Sequence, residues 1–230
     1  MTVARIKYGK GNELKYISHL DFMRAIHRML NRAGMEVAHS QGFNPHPKVS
    51  FAMAMPVGMT SEGDYLDVEF NNSLPAQVIK RELVKHSPPG LDIIDVKVYE
   101  QPVKSISAQI SQGIFNVEIA LDGNVTINQI DDIIQGILDQ EHIELPRKNK
   151  KGKIVLKDIR PHIKKLHVAE IKQNILKLDM VLSIGSNENL NPQMLIDYIT
   201  SQNKGIKAIP FAKIHRIDMI VSENKTPMDI

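Results

Sequence analysis

The chain contains no cysteine and no tryptophan, and aromatic residues make up only 5% of its sequence. Without cysteine it can form no disulfide, no thiolate-bound iron–sulfur cluster and no cysteine-type zinc site. The same absence fits a reducing compartment. Because aromatic residues are so few, the predicted cores consist of Ile, Leu, Val and Met, and the eleven Met residues suggest adaptable packing.

Long apolar runs are also missing. None approaches the roughly 20 residues that span a bilayer, and residues 1–11 contain no apolar core of a signal peptide. We therefore expect a soluble, cytoplasmic protein. The phosphate-loop pattern GxxxxGK followed by Ser or Thr is absent, as is the dinucleotide pattern GxGxxG. These absences disfavour chemistry with ATP or NAD, and we predict no cofactor.

Positive charge is concentrated in one segment, although the whole chain carries a net charge of only +3. Residues 147–165 include nine basic residues and one acidic residue, Asp158, which gives a local net charge of +8. Such a concentration predicts contact with a polyanion, here RNA, whereas a solvated hairpin with lysines for solubility is the alternative. The predicted RNA-binding residues are Arg147, Lys148, Lys150, Lys151, Lys153, Lys157, Arg160, Lys164 and Lys165.

The order of predicted elements repeats along the chain. Apolar residues alternate in the strands and recur at helical spacing in the helices, giving strand, helix, strand, strand, helix, strand in each half. This order predicts an α+β fold of tandem ferredoxin-like domains, at 1–103 and 108–230, the second with the basic segment inserted. One large α+β domain around a single sheet is the alternative.

Several boundaries follow from local signals. Ser18 is the predicted N-cap of the first helix, with Asp21 three positions on, and Gly34 is its predicted end. The other predicted helices are 75–86, 127–138 and 194–200. The predicted strands and extended segments are 3–8, 35–38, 49–55, 65–70, 91–99, 115–121, 143–159, 166–172, 175–183 and 211–221.

The densest set of polar side chains lies in the first half, at 18–21 and 39–48. Glycine and proline restrict the loop at 42–48, so that Asn44, His46 and Lys48 can project together. Rigid polar loops of this kind commonly present binding groups. The candidate residues of this functional loop are His19, Asp21, Arg24, Gln41, Asn44, His46 and Lys48.

Histidine chemistry leaves several alternatives. One alternative is a metal site in which His19 and Asp21 meet His39 or His46, but the HExxH pattern is missing and we predict no metal. His19 or His46 can instead serve as a general base that activates an RNA 2′-hydroxyl. In the structural interpretation, His19 caps the helix and His46 sits in a turn. No catalytic residue is identified by spacing alone.

The candidate base-stacking aromatics, Tyr8, Tyr16, Phe43 and Phe51, all lie in the first half. Their scarcity disfavours a sequence-reading binder of single strands that is built on aromatic platforms. Contact directed by RNA shape or backbone fits better.

Taken together, the motifs resemble the bacterial radical SAM-linked protein family over essentially the whole chain. The first-half motifs are 15–21 with Arg24, Arg28 and Arg32, then 40–51, 56–58 and 62–67, and those of the second half are 150–152 and 158–161. Members of that family occur fused to, or encoded beside, a radical SAM protein, often near genes for an RNase of the E/G type. Because this chain has no cysteine, the resemblance implies that the cluster-binding partner is a separate polypeptide.

The resemblance therefore implies an RNA-binding accessory subunit that presents an RNA or ribosome-linked substrate to a radical SAM enzyme. The predicted fold is also similar to that of repeat-associated RNA-cleaving proteins, which carry a glycine-rich loop near the C-terminus. Here 184–186 and 204–205 are poor substitutes for that loop, which disfavours cleavage. The alternatives are a metal-independent endoribonuclease or RNA-modifying enzyme using His19 or His46, and a protein–protein adaptor. We expect neither DNA nor membrane as a partner.

Overall fold

The computed structural model describes residues 2–122, 125–148, 152–185, 188–202, 207–208 and 212–230. The fold is mixed α+β, and its strands pair mostly antiparallel. The chain divides into two compact units, which we call unit 1 (Met1–Ser111 with His215–Ile230) and unit 2 (Gln112–Ile214). The predicted second domain, 108–230, includes the last strand, which the structure assigns mainly to unit 1.

Unit 1 contains a sheet in the order β4-β1-β3, with β2 also antiparallel to β3. Ile6 of β1 lies opposite Leu66 of β3 and Val96 of β4, so apolar residues of three strands share one face. The elements are β1 (Thr2–Lys10), α1 (His19–Arg32), β2 (Val49–Phe51), β3 (Thr60–Phe70), α2 (Ala76–His86), β4 (Leu91–Tyr99) and the one-turn helix α3 (Ile106–Gln109).

Helix α1 begins and ends where its sequence signals predict. The Ser18 side chain accepts a hydrogen bond from the Asp21 amide, and Gly34 follows the helix with a φ of +66°. The helix buries Phe22, Ile26, Met29 and Leu30 on the apolar face of the sheet. The strand predicted at 35–38 was wrong in extent, because only Val37 makes an isolated bridge, to Phe70.

The opposite face of the unit 1 sheet is charged and largely buried. Arg5 forms two hydrogen bonds to the Asp67 carboxylate, at 2.9 and 3.0 Å, and a third to the Pro227 carbonyl at 3.0 Å. Next to it, Lys7 Nζ lies 2.7 Å from an Asp218 carboxylate oxygen. Ion pairs thus take the place that apolar contacts occupy on the other face.

Unit 2 contains an antiparallel sheet in the order β5-β9-β8, with β10 on the other side of β5. The strands predicted at 166–172 and 175–183 form a hairpin: Gln173 and Asn174 between them have φ of +52° and +58°, as a two-residue turn between twisted strands requires. The elements are β5 (Gln112–Asp122), α4 (Ile127–Leu138), β6 (Glu144–Lys148), β7 (Ile154–Asp158), β8 (Ile163–Lys172), β9 (Ile175–Ser183), α5 (Pro192–Ser201) and β10 (Lys207–Ala208).

The last strand, β11 (Lys213–Ile220), is the reason why unit 1 includes residues from both ends of the chain. Its residues His215 and Arg216 pair in parallel with Thr60 and Ser61 of β3. A parallel partner so distant in sequence leaves no local signal, so the sequence predicts the strand but not its neighbour. Among the helices of the described residues, none is long and apolar enough to cross a bilayer.

Candidate nucleic-acid interface

Strands β6 and β7 form a two-stranded sheet of their own, which we call the ribbon (Glu144–Lys148 and Ile154–Asp158). Its cross-strand pairs run from Glu144 opposite Asp158 to Lys148 opposite Ile154. The residues that flank its base, Ile143 and Ile159, are 2% and 0% exposed. Up to Asp158, the described residues of the basic segment therefore belong to an anchored ribbon.

Asp158 fixes the base of the ribbon. Its carboxylate lies 2.8 Å from His142 Nδ1 and accepts hydrogen bonds from the amides of Ile143 and Arg160, at 2.9 and 3.0 Å. The hydrogen bond from His142, followed by that from the Ile143 amide, lowers the pKa of Asp158 from 3.8 to about 2. The ionised carboxylate is thus the form that holds the ribbon in place.

This pKa predicts a pH dependence. Because folding lowers the pKa of Asp158, its contribution to stability is complete above the ordinary value of 3.8 and is lost as the pH falls towards about 2. Replacing His142 with Ala should raise the pKa of Asp158, and this is measured by NMR titration of its carboxyl carbon. His86→Ala, in unit 1, is the control that should leave the titration unchanged. An unchanged Asp158 titration in His142→Ala would contradict this assignment.

The two faces of the ribbon differ in chemistry. Alternation along β7 and the pairing with β6 put Arg147, Val155 and Lys157 on one face. The same rule puts Pro146, Ile154 and Leu156 on the other, with Lys148 opposite Ile154 and with Glu144 and Asp158 at the base. Ile154 and Leu156 are 68% and 64% exposed, so the centre of the second face is apolar and open to solvent. We call these the cationic face and the apolar face.

On the cationic face, two basic residues approach each other. Burial lowers the pKa of Lys157, and the neighbouring positive charge of Arg147 lowers it further. Lys157 also donates to the Asn189 carbonyl at 3.4 Å. Arg147 and Lys153 are exposed. Cations held close together are stabilised by an anion placed between or beside them, which is what a phosphate group supplies.

The remaining predicted RNA-binding residues are distributed differently. Arg160 donates to the Leu138 carbonyl at 2.7 and 3.2 Å, so it caps helix α4 and points into unit 2. Lys164 donates to the Pro161 carbonyl, and Lys165 is exposed on β8. Lys148 lies in β6, and Lys150 and Lys151 fall outside the described residues.

A pocket that the sequence did not indicate lies beside the ribbon. Its volume is about 490 Å³, and it opens between β6 and helix α5. Gln193 and Asp197, on successive turns of α5, are joined by a hydrogen bond of 2.8 Å. The pocket is lined by Leu145, Pro146, Asn191, Gln193, Met194, Asp197, Tyr198 and Ser201.

In unit 1 the predicted functional loop is closed at its base. The Ser40 amide donates to the His46 carbonyl at 2.9 Å, and the His46 amide donates to Ser40 Oγ at 3.0 Å. Phe43 lies between them, fully exposed, and Gly42 beside it has a φ of +123°. The loop is thus held as a compact turn, with Gln41 and Asn44 exposed on either side of the ring.

In the structure His19 does not pair with Asp21, as the alternative of a metal site would require. Asp21 accepts hydrogen bonds from Ser18 Oγ at 2.7 Å and from Arg24 at 3.0 Å, and both lower its pKa. The His19 ring instead packs edge-on against Phe51, with 5.2 Å between ring centroids. Asp21 and Arg24 therefore stabilise the first turn of helix α1, and Ser18, not His19, caps it.

The electrostatics of His27 also involve the loop histidines. Burial lowers the pKa of His27 on helix α1, and positive charge on His46 and His39 lowers it further. Lys48, in turn, pairs with Glu69 at 2.8 Å. Helical spacing places His27 two turns after His19, but only the folded loop brings it near His39 and His46. The described residues contain no cluster of three His, Asp or Glu side chains arranged to hold a metal ion.

Comparison with known proteins places the chain in a family and finds solved chains of similar fold. It is 12% identical to a chain of a Cbf5–Nop10–Gar1 complex, with a TM-score of 0.54, covering 95% of this chain and 48% of that one. It is also 12% identical to a chain of an H/ACA RNP bound to a substrate RNA containing 2′-deoxyuridine, with a TM-score of 0.51, covering 94% and 46%. At this identity the likeness concerns the fold alone.

The chain spans about half the length of the solved chains that it matches. No curated protein sequence matches it. A family model does match: residues 4–192 fit the one described as an uncharacterized protein conserved in bacteria, DUF2344. This match covers most of the sequence, and the chain belongs to that bacterial family.

Proposed function

We propose that this protein binds RNA, with the ribbon as its main contact. The observation that carries the proposal is the anchored two-stranded sheet that exposes Arg147 and Lys153 and holds Lys157 beside Arg147. Clustered cations on a rigid element recognise a phosphate backbone, and each phosphate that they neutralise releases counterions. The fold likeness to a chain of an RNP with bound substrate RNA supports the same class of ligand.

The spacing of these cations suits an extended polyanion. Lys153 directly precedes β7 and is four positions from Lys157, which corresponds to at most about 13 Å of extended chain. Arg147 lies across the ribbon from Val155 and shares a face with Lys157. Cations spaced in this way can contact successive phosphates of one strand.

Within this function we propose an accessory role beside a radical SAM enzyme, to which the protein presents its RNA. The resemblance of the motifs supports this role, and the absence of cysteine means that the cluster has to be bound by the partner. We further propose that both units are ferredoxin-like. The strand orders β4-β1-β3-β2 and β10-β5-β9-β8, each antiparallel, support that interpretation.

The experiment is a salt series of RNA affinity. Binding of tRNA and of rRNA fragments to the full chain is measured between 50 and 200 mM salt. The triple variant is Arg147→Gln, Lys153→Gln, Lys157→Gln. Its plot of log affinity against log salt should be less steep, with the magnitude of the slope reduced by about 2, at roughly 0.7–0.9 for each lost phosphate contact.

The matched control removes three exposed cations from unit 1, in Arg81→Gln, Lys85→Gln, Lys104→Gln. It should keep the slope of the unaltered protein. Affinity that does not change with salt, or an equal loss in both triple variants, would overturn the proposal. Incubation with total RNA separates binding from cleavage, since cleavage lost in His46→Ala would move the assignment to a nuclease.

A further inference from the structure

The apolar face of the ribbon is unusual for a surface strand pair. Pro146 lies directly opposite Leu156 across the ribbon, and Ile154 follows on the same face of the strand that carries Leu156. Exposed apolar side chains scattered singly are ordinary, but three adjacent ones on one face mark a contact surface. Ile154 and Leu156 are 68% and 64% exposed, so no other part of the described structure covers them.

The register also limits what can cover this face. Lys148 lies directly opposite Ile154 on the same face, so a cationic position adjoins the apolar side chains. A ligand that covers this face has to offer an anionic group beside apolar surface. RNA offers both when its bases are unstacked, since each nucleotide then carries a phosphate and an open base face.

Continuous duplex RNA does not meet this requirement. Its base faces are hidden in the stack, and the base edges in its deep, narrow major groove are out of reach of side chains. Ile, Leu and Pro side chains are residue types that proteins insert between base steps, where they replace base–base stacking with apolar contact. The face that carries Ile154, Leu156 and Pro146 has this composition.

We propose that the apolar side chains of this face contact the bases of unstacked nucleotides, while Lys148 beside them and the cationic face contact phosphates of the same RNA. The substrate class is therefore RNA with a bulge, loop or junction, not continuous duplex. This inference rests on the proposed function. The scarcity of aromatic residues disfavoured base stacking on aromatic side chains. In this inference aliphatic side chains contact the bases instead.

The test compares a 16-base-pair RNA duplex with the same duplex carrying a three-nucleotide bulge. The full chain is compared with the variant Ile154→Ser, Leu156→Ser, in which both replaced side chains are mostly exposed and the fold should be kept. We expect the variant to lose affinity for the bulged RNA by about tenfold. Its affinity for the duplex should change less than about twofold, and its salt slope should stay the same.

The control variant is Val84→Ser, Ile127→Ser, which removes two exposed apolar side chains, 53% and 44% exposed, far from the ribbon in sequence. It should bind both RNAs as the unaltered protein does. A 2-aminopurine placed in the bulge reports stacking directly. Its fluorescence should change on binding to the unaltered protein and to the control, but not on binding to the ribbon variant.

Equal losses on bulged and continuous RNA, or no loss on either, would overturn the inference. Unchanged RNA affinity together with loss of a protein captured from cells would also overturn it, since the apolar face would then be a protein-docking surface. The cationic triple variant tells the two proposals apart. If that variant binds RNA as well as the unaltered protein does, the proposal that the ribbon binds RNA is overturned. If the cationic variant loses affinity and the serine variant does not, only the proposed contact with bases is overturned.

Discussion

Replacing Asp67 with Ala is expected to destabilise the protein by about 3–5 kcal/mol, because it leaves a buried guanidinium without its carboxylate. The side chains of Arg5 and Asp67 are only 1% and 8% exposed, and two hydrogen bonds join them. Burial by itself lowers the pKa of Arg5, but the hydrogen bond and the charge of Asp67 outweigh it and the pKa is raised. The charged pair is therefore the form that the fold requires.

Urea unfolding of the single variant and of the double variant Arg5→Met, Asp67→Leu measures this effect. The double variant should recover much of the lost stability, because it removes the unpaired charge as well as the pair. Glu82→Ala breaks the exposed pair of Arg81 and Glu82 and should change stability by less than about 1 kcal/mol. A loss below about 1 kcal/mol in Asp67→Ala would mean that water reaches Arg5 when the carboxylate is removed.

Replacing Gly63 with Ala should cost about 3 kcal/mol or more, since β-carbon and backbone would occupy the same space. A Cβ at this position would lie 2.6 Å from the Cα of Asp218 and would also overlap the carbonyl of Ile217. Both obstructing groups are backbone atoms of β11, so no rotamer change removes the overlap. The substitution therefore requires β11 to move away from β3.

Gly136→Ala is the matched control for this prediction. Gly136 lies inside helix α4, and a Cβ there meets nothing within 4 Å. Alanine should stabilise that helix by about 1 kcal/mol, because glycine is the poorer helix former. Thermal unfolding of the two variants should thus shift the Tm in opposite directions. A Tm of Gly63→Ala equal to that of the unaltered protein would show that β3 and β11 do not pack this closely.

The helices and the β8–β9 hairpin were predictable because their signals are local. Ser18 and Asp21 at the start of α1, and the Gln173–Asn174 turn, act through bonds within a few residues. Helix α4 begins at Ile127 as predicted, and its N-cap Thr126 forms a complete capping box with Gln129. The strand predicted at 35–38 was too long. Its apolar residues are buried, but they belong to a loop in which only Val37 makes an isolated bridge.

The candidate interface was predictable only as a segment. Charge counting indicated 147–165, but it could not show that Arg160 caps helix α4 while Arg147 remains exposed. Nor could it show that Ile154 and Leu156 face solvent, since alternating apolar residues in a strand normally indicate burial. Which face of a strand is covered depends on what packs against it, and that information is not local.

By itself the sequence determined the element types, most of the caps and turns, and the concentration of positive charge, because each depends on neighbouring residues. Tertiary structure alone decided that β11 joins unit 1, that Arg5 meets Asp67, and that the ribbon stands as a separate sheet. The first two of these join residues 62 to more than 150 positions apart. Contacts over such separations follow from packing and charge compensation in the whole fold, which no local pattern encodes.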